Sequence, residues 1–106
     1  MLEKVLFYGV PDHENTGDLS TGPGTGKVWI VRVIYAANTN SESKKLTLKH
    51  YIDSDNVITL IPDEEIQGNE RISIGPVVIE HGQKIQAEQE TEGAVEVIAY
   101  RLEADI

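Results

Sequence analysis

The segment Lys27 to Ala37, KVWIVRVIYAA, constrains the fold more than any other part of the chain. Every residue from Val28 to Ala37 except Arg32 is apolar or aromatic, and valine and isoleucine recur through it. Such side chains lose χ1 freedom in a helix but pack well on a pleated surface, so the run is predicted as a strand. Both alternating sets are apolar: Trp29, Val31, Val33, Tyr35 on one side and Val28, Ile30, Ile34, Ala36 on the other. The pattern predicts a central strand covered on both faces, with one cover supplied by a partner. Trp29, Val31, Val33 and Tyr35, together with Tyr51, are the candidate interface or ligand surface.

The remaining segments are shorter and punctuated by turn residues. Lys4 to Val10 reads as a strand ending at Pro11, and Lys45 to Ile52 alternates, with Leu46, Leu48, His50 and Ile52 on its apolar side. Val57–Ile61, Arg71–Ile74 and Val77–Glu80 are predicted as short strands, the last two separated at Gly75-Pro76 because proline cannot donate to a ladder. Lys84 to Glu90 and Ala94 to Leu102 alternate again, leaving Glu103 to Ile106 as a polar tail. Asp53–Asn56, Pro62–Asn69 and His81-Gly82 carry turn chemistry. Pro11 to Gly26 is dominated by Gly, Pro, Asp, Asn, Ser and Thr, and is expected as a long flexible loop that is functional, ordered by a partner or mobile. About seven or eight short strands at regular spacing, without helical periodicity, predict an all-β antiparallel sandwich or small barrel.

Size and charge narrow the rest. A chain of 106 residues forms one domain, here spanning 1–106, and buries roughly two-thirds of its unfolded surface. Eighteen acidic against nine basic residues give a formal charge of -9, which repels nucleic-acid phosphates and anionic membranes. No apolar stretch approaches the roughly 20 residues that span a bilayer as a helix, and Met1 to Val10 lacks the build of a signal peptide. The chain has no cysteine, so disulfides and thiolate metal sites are excluded.

Catalytic motifs fail on inspection. Gly22 to Lys27, GPGTGK, resembles a phosphate loop, but Thr21 stands where glycine is required, Val28 replaces the magnesium-binding hydroxyl, and a strand follows instead of a helix. His13, His50 and His81 are too far apart in sequence to pair on a metal by local spacing, and Asp53, Asp55 and Asn56 lack the remaining parts of a calcium loop. No nucleophile elbow surrounds any serine. The chain is therefore expected to be no enzyme and to use neither metal nor cofactor. Trp29, Tyr35, Tyr51 and Tyr100 leave open an aromatic platform for a sugar, against burial in a core or interface.

GKVWIVRVIYAANTN (26–40) followed by LTLKHYI (46–52), with GPVVIEHGQKIQAE (75–88) and GAVEVIAYRLE (93–103), resembles a β-sandwich module of bacteriophage and prophage virion proteins. The resemblance covers roughly residues 22–103 and consists of strand patterns, with no catalytic motif to carry over. It implies a jelly-roll-like sandwich of the distal tail, baseplate, fibre or adhesion apparatus. Its expected partners are other virion proteins and further copies of itself, with a host surface glycan as a further candidate. It implies synthesis in the host bacterial cytoplasm and residence in the virion. The rival expectations are a carbohydrate-binding module and a capsid-associated decoration protein.

Overall fold

The computed structural model describes residues 3–13 and 15–106. Glu14, inside the predicted 11–26 loop, and Met1 and Leu2 lie outside the described residues. Nine strands are present among those described: β1 (Lys4–Gly9), β2 (Gly17–Thr21), β3 (Lys27–Asn38), β4 (Lys44–Asp53), β5 (Asn56–Ile66), β6 (Arg71–Ile74), β7 (Val77–Glu80), β8 (Lys84–Gln89) and β9 (Val95–Asp105).

The strands form two sheets. One runs β1-β9-β3-β6, with β7 also paired to β3, and the other runs β2-β8-β4-β5. The antiparallel pairs are nested: β1 with β9, β2 with β8, β3 with β6 and β7, β4 with β5. One long antiparallel hairpin with its tip at Asp53–Asn56, folded over on itself, generates that nesting, which is the jelly-roll form of the sandwich. The expected fold class is thus the observed one.

Three elements differ from the sequence reading. Gly17–Thr21, inside the stretch expected as a loop, is strand β2, held on β8 through Asp18↔Gln86 and Thr21↔Lys84. The expected connection at 62–69 is largely strand, because β5 continues past Pro62 to Ile66 on the edge of its sheet, where a residue without N–H is tolerated. The expected polar tail is the end of β9, whose Glu103, Ala104 and Asp105 pair with Trp29, Val28 and Lys27. Lys27 and Asp105 also form an ion pair whose hydrogen bond raises the lysine pKa.

Aliphatic side chains from both sheets close the core. Val31, Ile34, Ile79, Val95 and Val97 meet Leu46, Leu48, Ile61, Ile66 and Ile85, all at most 1% exposed. Burying each such side chain contributes about 1.5–3 kcal/mol. Two buried amides pin one end of the sandwich, where Asn38 pairs with Val95. Asn38 donates Nδ2 to the carbonyls of Glu42 (2.7 Å), Ile66 (2.9 Å) and Gln67 (3.3 Å), while its Oδ1 accepts from the Asn40 N–H at 2.9 Å. Gln89 donates Nε2 to the carbonyl of Pro11 at 2.7 Å and its own N–H to the carbonyl of Asp12 at 2.9 Å, fixing the chain that leads into β2. Among the described residues no helix is long and apolar enough to cross a membrane.

Candidate functional site

The surface that departs most from ordinary sandwich chemistry is set by one bulge. In the β3–β9 ladder Val31 pairs with Arg101 and Val33 with Tyr100, so Arg32 is an extra residue. An extra residue reverses which parity faces the core. Val31 is therefore buried before the bulge, and Ile34 and Ala36 after it. The break between β6 and β7 lies opposite: Ile74 pairs with Ile34, Val77 with Val31, and Gly75-Pro76 spans the gap with a cis peptide. A Cβ on Gly75 would stand 2.2 Å from the Arg32 carbonyl oxygen, so only glycine fits against the bulge.

Because of that reversal, the expected grouping of site residues does not hold. Val31 is core, at 0% exposure. Trp29 shares its face but lies at the end of the sandwich, packed on the core, its Nε1–H donating to Glu103 Oε1 at 2.9 Å. Val33 and Tyr35 alone of the set lie together on the outer face of β3. Tyr51 is on the other sheet, on the outer side of β4.

The outer face around Val33 and Tyr35 is apolar across four strand positions. Cross-strand register places Val78, Ile30 and Leu102 in one row and Val33, Tyr100 and Val5 in the next. A third row holds Ser73, Tyr35, Ile98 and Tyr8. Val5, Tyr8 and Val78 are 52%, 64% and 51% exposed. Charges stand at the ends: Arg71, Ala37 and Glu96 form one terminal row, and Glu80, Val28 and Ala104 the other. A cleft of about 420 Å³ opens within this face, lined by Val33, Tyr35, Tyr100, Arg32 and Glu3, the last two 3.3 Å apart.

The outer face of the second sheet is wet by contrast. Lys45, Thr47 and Lys49 of β4 and Gln86 and Glu88 of β8 alternate with core residues, as the sequence predicts for β4. Asp18 accepts from Gln86 Nε2 at 2.9 Å and Lys84 Nζ at 3.3 Å, and the Gln86 hydrogen bond, followed by Lys84, lowers its carboxyl pKa. One sandwich thus carries one polar and one apolar outer face.

Three of the four aromatic rings considered for a sugar platform, all but Tyr100, carry a cation. Arg101 lies 4.6 Å from the Trp29 centroid, Lys84 4.7 Å from that of Tyr51 and Arg71 5.1 Å from that of Tyr35. A guanidinium or ammonium over the ring occupies the electron-rich face that stacks on a pyranose. The histidines whose partners are defined serve the fold: His50 Nε2 meets Gln83 Oε1 and His81 Nδ1 meets the Pro23 carbonyl, both at 2.9 Å. Among the described residues no group of three or more His, Asp or Glu side chains converges to hold a metal.

Comparison with protein-family models and with curated protein sequences finds no match to this chain.

Proposed function

We propose that the chain is a structural protein of a bacteriophage or prophage virion, a jelly-roll module of the distal tail, baseplate or adhesion apparatus. It acts without catalysis, by assembly with other virion proteins and by surface display, after synthesis in the host cytoplasm. The observation that carries this reading is the contrast between the two outer faces. A solvent-facing sheet normally alternates apolar-in with polar-out, as the β4 side does, and a contiguous apolar outer face marks a surface that another protein covers. The strand resemblance supplies the virion context. The fold adds an analogy, since jelly rolls recur in viral coat and lectin domains.

A carbohydrate-binding module fits less well, because Trp29, Tyr35 and Tyr51 each hold a cation over the ring. A decoration protein on the capsid would use the same apolar face and differs only in address. Particles purified by density gradient from a lysate whose phage or prophage encodes the chain should contain it in stoichiometric amount. Mass spectrometry of the separated head and tail fractions would then locate it. Recovery solely in the soluble fraction, with particles complete without it, defeats the proposal.

A further inference from the structure

We infer that the outer face of the β1-β9-β3-β6 sheet seats a second copy of this chain, sheet against sheet about a two-fold axis; this rests on the assembly reading above.

The dimensions suit a modest specific interface. Four strand positions at about 4.8 Å and five rows about 6.8 Å apart make a face of about 500 Å². Two such faces bury about 1,000 Å² together, the lower limit for a specific contact.

Charge favours a copy meeting itself on this face. The chain carries -9 overall, so two copies repel over most of their surface. Within this face the charges of Arg32 and Glu3 offset one another, 3.3 Å apart, and Arg71 and Glu96 flank Ala37 at one end while Glu80 stands at the other. A two-fold axis along the strands sets the partner's Glu96 over Ala37, beside Arg71. An axis across the strands sets the partner's Glu80 over Arg71. Either way an isologous contact repeats the pair twice.

The sheet edges point the same way. β1 is interrupted at Leu6, β2 between Asp18 and Ser20, β5 by Pro62 and the positive φ of Asp63, and the β6–β7 edge by Gly75-Pro76. Interrupted edges block strand addition and leave the face as the route of association.

Sedimentation velocity on the purified chain, from low micromolar to millimolar concentration, tests the inference. The expected result is a reversible dimer with a dissociation constant on the order of 10 µM, in keeping with so small an area. Ile98→Glu and Arg71→Glu should each weaken it at least tenfold, with circular dichroism and urea midpoint showing that the fold survives. Arg71→Glu mixed with the Glu80→Arg/Glu96→Arg double variant should pair again, since each retains the charge the other lacks. A wild-type monomer throughout, or a dimer indifferent to both single variants, overturns the inference. The assembly reading fails separately, if the wild-type chain dimerises but is recovered solely in the soluble fraction, with particles complete without it.

Discussion

The side-chain amide of Gln89 holds the backbone of Val95 from both sides: Oε1 accepts the Val95 N–H at 2.7 Å and Nε2 donates to its carbonyl at 3.3 Å. The amide thereby acts as a one-residue strand joining the end of β8 to the start of β9. Both residues are at most 1% exposed, so no water replaces the bonds if they are lost.

Gln89→Leu preserves the volume and strips Val95 N–H and the Pro11 carbonyl of their partner. Each buried unsatisfied group costs about 1–3 kcal/mol, so the variant should lose about 3 kcal/mol in urea denaturation. A loss under about 1 kcal/mol would mean that water reaches the site.

Two glycines give an internal comparison. A Cβ at Gly68 would lie 2.1 Å from the Ser41 carbonyl oxygen, whereas at Gly24 nothing stands within 4 Å. Gly68→Ala must push apart the turns at either end of the sandwich's Asn38 anchor and should cost about 2 kcal/mol or more. Gly24→Ala should stay within about 0.5 kcal/mol of wild type. Equal effects in thermal melts would show that the Ser41–Gly68 approach relaxes freely.

What the sequence disclosed follows how far each strand's pairing depends on distant residues. Leu46, Leu48 and His50 alternate without interruption on the inner side of β4, so period-two reading places them in the core correctly. The same reading misassigns half of β3, because Arg32 looks like any other residue until the cis Gly75-Pro76 gap opposite it is known. β2 was hidden because Gly17, Asp18 and Ser20 have weak strand propensity and are held by β8, nearly seventy residues later in the chain, through contacts such as Asp18–Gln86, 68 residues apart. The polar tail joined β9 for a like reason, its partner being the start of β3. The apolar outer face was half legible: two apolar sides on one strand were evident, but Val5, Tyr8, Val78 and Ile98 join it only through register.

Asp18 sets a small pH dependence. Its pKa is lowered in the folded chain by Gln86 and Lys84, so the stabilisation is present above the ordinary aspartate range and is lost as pH falls through the folded value. The pair is solvent-exposed, which limits its worth to about 0.2–1 kcal/mol. Asp18→Asn should therefore be slightly less stable than wild type at pH 7 in low salt, and the gap should close at about pH 2. A gap that persists in acid would show that the charge of the Asp18 carboxylate is not what stabilises the fold.

Trp29 reports on the sugar question directly. It is the only tryptophan, half-buried against the core, with Arg101 over its ring and Glu103 accepting from its Nε1. Its emission should be unchanged by millimolar monosaccharides and by a panel of bacterial surface glycans. Arg101→Ala removes a cation–π contact worth about 0.5–1 kcal/mol and uncovers the ring, so the emission should shift to the red while the fold persists. If the variant gains glycan-dependent quenching that the wild type lacks, the ring has the right setting for a sugar and Arg101 is what excludes it. Quenching in the wild type itself would show that a ligand displaces Arg101, and the capped ring would then be a binding site held closed.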